Sequence, residues 1–283
     1  MWQCDMVMKI PAFLKWAGGK RRLLPQIDEH LPKKIDRYFE PFLGAGAVFF
    51  YIKQKYNPSF CMISDVNEDL IETFKAVRDR PVELILELRK LEESTKEKYY
   101  LTRTKFNENK YAGLKRCAIF VYLNKHCFNG LYRVNTKGEF NVPYRGCPNK
   151  SMFDEETILL ASKLLQGVII KCQDYEAIRA HVEEGDFIYL DPCYDPLKKT
   201  SFAKYTPKRF CDEDSDRLAC FVAEMGRREA RVLFSNNITD GVKKRYPMNE
   251  GYIWERVSCP RSINSVGSDR GRIQEFLIKN YTI

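Results

Sequence analysis

Short apolar runs that end in turn residues and lead into helical patterns occur near both ends of the sequence, with one long interruption between them. Ile35 to Phe39 runs into Glu40-Pro41-Phe42-Leu43-Gly44-Ala45-Gly46, and an apolar helical pattern follows over Ala47 to Lys53. A second run, Phe60 to Ser64, ends at Asp65, and Asn67 is placed to cap the next helix. The pattern resumes after Asp154, with strands expected over Val168–Cys172, Phe187–Leu190, Arg231–Phe234 and Glu275–Ile278. Helices are expected between them over Tyr175–Val182 and Ser215–Gly226. Alternation of this kind predicts an α/β domain.

The interruption has a different character. From Ile71 to Lys110 the pattern is helical and charged, with Leu84, Leu88 and Leu91 on an apolar stripe, and Ala112 to Lys125 reads as a further helix. Leu131–Val134 and Glu139–Val142 then flank Asn135-Thr136-Lys137-Gly138, which predicts a β-hairpin with a four-residue turn. The expected organisation is one domain built from residues 1–70 and 156–283, with residues 71–155 inserted into it. Charge follows the same division. Of 47 basic and 38 acidic residues, ten basic and only two acidic (Glu108 and Glu139) lie between Leu101 and Lys150, leaving the rest of the chain near neutrality. Concentrated cationic charge suits a polyanion, because each phosphate neutralised releases condensed counterions. An ordinary basic patch would have the same composition.

Several chemistries are disfavoured. The ten cysteines are scattered and form no CxxC pair, and the three histidines (His30, His126 and His181) are far apart, so neither a metal nor a histidine base is expected. No apolar run approaches the length needed to span a bilayer, and no signal peptide is evident; an intracellular, cytoplasmic protein with reduced thiols is expected.

Two clusters carry candidate chemistry. Gly44-Ala45-Gly46 lets backbone N–H groups approach a ligand at a helix N-terminus, and Asp65, 19 positions on, stands where an acid accepts hydrogen bonds from ribose hydroxyls. Phe49 replaces the third glycine of a dinucleotide fingerprint, which favours an adenosine-type ligand. A plain strand–turn–helix would look the same. Ahead of it, Phe13-Leu14-Lys15-Trp16-Ala17-Gly18-Gly19-Lys20 makes another glycine turn before a helix near Arg21. There Lys20 suits a ligand carboxylate and Trp16 an apolar wall, although turn and core roles explain both residues equally. The second cluster is Asp191-Pro192-Cys193-Tyr194 at the end of an apolar strand, a position where ligands bind in open α/β sheets. A planar NH2 group is a poor nucleophile. A carboxylate and a carbonyl accepting its two hydrogens would favour a pyramidal nitrogen, and an aromatic ring beside them would stack on an extruded base. The same logic suits an amine in RNA or protein.

Taken in order, FLKWAGGK (13–20), FEPFLGAG (39–46), SDVNEDLI (64–71), FNGLYRVNTKGEFNVPY (128–144) and DPCY (191–194) resemble the Dam-type DNA adenine-N6 methyltransferases. LFSNN (233–237) and RSINSVGS (261–268) resemble them too, so the similarity spans nearly the whole chain. The resemblance implies a Rossmann-like methyltransferase sheet carrying a helical and hairpin DNA-recognition insert, with S-adenosylmethionine as methyl donor. It implies double-stranded DNA as substrate and a flipped adenine within GATC; action as a monomer on DNA is expected, and the role (restriction–modification, repair marking or gene regulation) stays open. By matching motif, Trp16, Lys20, Glu40, Gly44, Gly46, Asp65 and Asp191 fall on donor-binding positions. Asp191 and Pro192 would hold the adenine amine, with Tyr194 stacked on the base. Lys15, Asn129, Leu131 and Arg133 fall on DNA-binding positions, Arg133 being suited to O6 and N7 of a guanine. Cys193 departs from the family's Asp-Pro-Pro-Tyr. Losing the second proline frees the backbone of Pro192 and bears on turnover. A catalytically silent DNA-binding homologue is the alternative.

Overall fold

The structure, a computed structural model, describes residues 8–91, 95–145, 153–193, 211–260 and 272–283, with the side chains of 259–260 and 272–274 left aside. Its centre is a seven-stranded sheet of β1 (Arg37–Glu40), β2 (Phe60–Asp65), β3 (Ile169–Cys172), β4 (Phe187–Leu190), β5 (Arg231–Asn236), β6 (Ile253–Pro260) and β7 (Arg272–Lys279). The spatial order is β3-β2-β1-β4-β5-β7-β6, parallel from β3 to β5, with β7 antiparallel to both its neighbours. This is a Rossmann-like sheet, as the sequence implies. Strand order reverses between β1 and β4, so the loops after these two adjacent strands diverge and leave a crevice.

β4 is buried along its whole length, as are Tyr38, Phe39 and Glu40 of β1. That burial is why these runs read as continuously apolar rather than alternating. Helices α1 (Leu24–Asp28), α2 (Ala47–Tyr56), α3 (Glu68–Asp79), α4 (Pro81–Arg89), α5 (Lys96–Asn107), α6 (Gly113–His126), α7 (Glu155–Leu165), α8 (Asp212–Arg227) and α9 (Asp240–Arg245) complete the described elements. As expected, the Asn67 side chain caps α3, accepting from the Leu70 N–H at 3.0 Å, an arrangement worth about 1 kcal/mol. Gly46 opens α2 with a φ of +70°, and a Cβ there would stand 3.3 Å from the rings of Phe50 and Phe74. Only glycine satisfies both conditions cheaply. The turn after β1 can therefore lie flat on the aromatic core.

Everything from α4 to the hairpin lies within the crossover from β2 to β3. α3 packs on β2 and β3 as well as on α6. The hairpin is present, but it is held by single contacts rather than a ladder. Val134 bridges Phe140, the Asn141 N–H donates to the Arg133 carbonyl, and Asn107 receives the Phe140 N–H. The helix expected over Tyr175–Val182 is a 3-10 segment, Tyr175–Ala180. Strand β6 and helix α7 were not anticipated from the sequence.

Candidate active site

The loops after β1 and β4 meet the 16–20 turn around a small, partly open cleft. Trp16, Gly18, Gly19, Lys20, Glu40, Leu43, Gly44, Gly46, Tyr189 and Asp191 all line it. The fold thus gathers six of the seven donor-binding candidates around one space, and the seventh borders it. Asp65, at the end of β2, accepts from the Gly44 N–H through Oδ2 at 3.1 Å and from the Asn67 N–H through Oδ1 at 3.0 Å. Burial raises its carboxyl above the usual range, opposed by the hydrogen bonds from Gly44, Asn67 and Val66. Asp65 therefore fixes the glycine turn from beneath. Trp16 closes the other side: a Cβ on Gly44 would lie 2.9 Å from its Cδ1, so the indole packs directly on the turn backbone.

Lys20 is a buried cation, and its ammonium donates to the Gly18 carbonyl at 2.7 Å. It pairs with Asp191 Oδ1 at 2.8 Å and lies 3.9 Å from Glu275 Oε2 on β7. In this structure the ammonium is directed to the first residue of the DPCY tetrapeptide. Taking one oxygen of a carboxylate by a charge-assisted bond fixes the orientation of the whole group. Behind it, the Tyr38 hydroxyl donates to Glu40 Oε2 at 2.5 Å and Tyr189 shares a 2.8 Å hydrogen bond with Ser235. Burial, with Asp191 nearby, pushes the Glu40 carboxyl well above the ordinary carboxylate range, against the opposing bond from Tyr38. Glu40 therefore keeps its proton to higher pH than an exposed glutamate, which limits the negative charge packed beside Asp191.

Pro192 is buried and Cys193 half-buried, while Tyr194 lies outside the described residues, as does the 261–268 motif. Burial pushes the Cys193 thiol up to about 12, helped by Asp65 and Asp191, so it stays protonated at neutral pH. Among the described residues no group of three His, Cys, Asp or Glu is arranged to hold a metal, and no helix is long and apolar enough to cross a membrane.

Of the four residues expected to meet DNA, three lie around one contact between the Lys15 segment and the turn that follows α6. Lys15 precedes Trp16 in sequence, and Asn129 and Leu131 flank Gly130 in that turn. Asn129 takes a left-handed φ of 56° and Gly130 one of +62°. A Cβ at Gly130 would stand 2.3 Å from Lys15 Cβ, so the backbone of the turn packs directly on the Lys15 side chain. Arg133 is held within the hairpin, its Nε donating to Asn141 Oδ1 at 2.7 Å. Not every cation of the basic stretch faces outward. Arg116 makes a two-pronged pair with Asp69 and lies 4.1 Å from the Phe106 ring centre, and Arg103 donates to the Val142 carbonyl. Sequence reasoning missed Glu275, which stands in a strand with no motif around it, and Asn124, an amide two residues before the end of α6.

Residues 16–257 match the model of the D12 class N6 adenine-specific DNA methyltransferases. The chain is 46% identical to the Type II methyltransferase M.MjaIII of Methanocaldococcus jannaschii, over 97% of its own length and all of that protein. It is 34% identical to the Type II methyltransferase M1.LlaDCHI of Lactococcus lactis, with 95% of each chain covered. It is 35% identical to the DNA adenine methylase of Escherichia coli K12, with 94% of each covered. With its glycine turn, its strand-end aspartate and its hairpin all inside the matched span, the chain belongs to the D12 class of N6 adenine-specific DNA methyltransferases.

Proposed function

We propose that this methyltransferase takes its methyl group from S-adenosylmethionine and places it on N6 of adenine within GATC in double-stranded DNA, acting as a monomer in the cell interior. The observation that carries the reading is the pairing of Asp191 with Lys20 at 2.8 Å, on the rim of a cleft walled by Trp16 and the Gly44–Gly46 turn. The cleft suits such a donor. Asp191 on its rim offers a hydrogen-bond acceptor, the indole of Trp16 offers a flat apolar surface, and Gly44 and Gly46 leave the turn backbone open to a ligand. S-adenosylmethionine, when bound, supplies a sulfonium-activated methyl group.

The protein's own part is orientation. Asp191, held by Lys20, accepts one hydrogen of the adenine amine, and the Pro192 carbonyl accepts the other. The nitrogen lone pair is thereby directed into the cleft without a strong base. Tyr194 stacks on the extruded base. Trp16, Lys20, Glu40, Gly44, Gly46 and Asp65 shape the donor site. Residues 71–155 form the target-recognition region, where Lys15, from the catalytic side, joins Asn129, Leu131 and Arg133 in reading the site and exposed lysines grip phosphates. A restriction–modification role accords with two relatives named Type II methyltransferases.

Incubation with labelled S-adenosylmethionine and duplex DNA, RNA or protein, followed by mapping of the labelled positions, tests the proposal. Label confined to N6 of adenine in GATC is expected. Label in RNA or protein, or donor binding without transfer, overturns it, the latter in favour of a silent homologue. Label at another duplex sequence overturns the GATC assignment.

A further inference from the structure

Asn124 is buried near the end of α6 and belongs to none of the sequence motifs. Its side-chain amide grips the backbone of Lys15 at two points. The Lys15 N–H donates to Oδ1 at 2.9 Å, and Nδ2 donates to the Lys15 carbonyl at 2.7 Å. The same Nδ2 lies 3.4 Å from the Gly130 carbonyl. One side chain thus joins the segment that walls the cleft to the turn carrying Asn129 and Leu131. Neighbouring contacts run the same way. Gly130 packs against Lys15 with no room for a side chain, and the Trp16 indole stacks on Tyr132 with ring centres 5.6 Å apart and planes 14° apart. Trp16 in turn packs on Gly44. An unbroken series of packed and hydrogen-bonded groups therefore leads from the hairpin to the donor cleft.

We infer that Asn124 is a positioning residue that couples the two ligands, so that filling the donor cleft and docking the DNA-reading turn each raise affinity for the other. The inference rests on the proposed roles of the two sites. Lys15 and Trp16 are consecutive, one assigned to DNA and the other to the donor, and Asn124 fixes the backbone they share to the recognition turn. A ligand that orders this segment leaves less ordering for the second ligand to bring about. The effect must be reciprocal, because coupling is a property of the doubly bound state. Without the amide clamp, the turn and the Lys15 segment can shift independently and each site responds only to its own ligand. Asn124→Asp is the incisive change. It keeps an acceptor for the Lys15 N–H, removes both donated bonds and sets a carboxylate against two carbonyls.

The experiment measures the affinity of the full chain for S-adenosylhomocysteine, alone and with saturating GATC duplex, by calorimetry. A tightening of about tenfold in the natural protein is expected, within the usual range of coupling between sites. In Asn124→Asp the factor should fall to near one, while each ligand alone binds within about threefold of its natural affinity. Tyr132→Leu, which breaks the stack from the other side, should lower the factor too and gives a second reading if Asn124→Asp folds poorly. No tightening in the natural protein overturns the inference, and so does an undiminished factor in Asn124→Asp, or in Tyr132→Leu where the first variant does not fold. Weakened binding of both single ligands with the factor unchanged also overturns it, because that pattern marks a merely structural amide. Failure of the natural protein to bind S-adenosylhomocysteine at all is a distinct result that removes the proposed donor instead.

Discussion

At the scale of single residues, the site depends on a few buried charges whose partners decide their state. Asp191 has a fixed orientation because Lys20, itself almost fully buried, holds one of its oxygens. Asp191→Ala should therefore abolish methyl transfer, leaving nonspecific DNA binding nearly intact; a variant keeping even a tenth of the natural single-turnover rate would exclude the carboxylate from the chemistry. His126 supplies a test of folding against pH. Burial, with Lys15 and Lys98 nearby, lowers its pKa to about 4, and its Nε2 has no hydrogen-bond partner among the described residues. The folded state holds the ring neutral, whereas the unfolded chain protonates it near the ordinary value of about 6.5. Its contribution to stability is therefore complete above that ordinary value and is lost as pH falls through the folded one, by roughly 3 kcal/mol in all. His126→Phe has no proton to gain and packs in the same place beside Tyr122. Its stability relative to the natural protein, measured by urea unfolding, should rise by that amount between neutral pH and pH 4, and an unchanged difference would show that the imidazole ionises inside the fold without penalty.

At the scale of elements, the most legible parts were those bounded by strong local signals. β1 with its glycine turn, β2 with Asp65 and Asn67, and β4 with its terminal aspartate all matched, because apolar runs buried on both faces end abruptly at polar or glycine residues. β6 escaped because Ile253-Trp254-Glu255-Arg256-Val257 lies at the edge of the described sheet, beside β7, and tolerates charge in its middle. The hairpin was legible as a turn but not as a loose one. Its second strand also leans on Asn107 and Tyr99 of α5, a tertiary support with no local signature. Asn124 was invisible for the same reason, since an amide inside a helix announces nothing about a partner 109 positions away. The hairpin makes a graded prediction. Arg133→Ala should cost about 1–3 kcal/mol of discrimination at one guanine while weakening overall affinity less. Asn141→Ala, which only removes the brace on Arg133, should give a smaller loss at the same base. Methylation rates on duplexes with single replacements in GATC measure both, and equal losses on cognate and random DNA would take the hairpin out of sequence reading.

At the scale of the whole molecule, the division of charge seen in the sequence becomes a division of labour among cations. The basic stretch carries ten Lys and Arg residues, but position in the fold separates them. Arg116 and Arg103 are consumed within the fold by Asp69, the Phe106 ring and the Val142 carbonyl, so they hold the hairpin and α5 in place. Lys105, Lys110, Lys115 and Lys137 are exposed, and none has an acidic partner among the described residues. The sequence could give the local excess of charge but not this sorting, which depends on Asp69 arriving from α3 across 47 positions. Binding of a polyanion responds to the second group alone, since only a cation that displaces condensed counterions contributes to the salt dependence. Lys110→Ala and Lys137→Ala should each make the slope of log affinity against log salt less steep by about 0.9, with the same loss on GATC and on random duplex. Arg116→Ala should leave that slope near its natural value and instead lower the unfolding midpoint, because a half-buried two-pronged ion pair and a ring contact go together and Asp69 is left behind. Fluorescence anisotropy over a range of salt concentrations, with thermal unfolding alongside, separates the two classes. If Arg116→Ala flattened the slope as the lysine changes do, the guanidinium would have to leave Asp69 when DNA binds, and the recognition region would dock in a rearranged form.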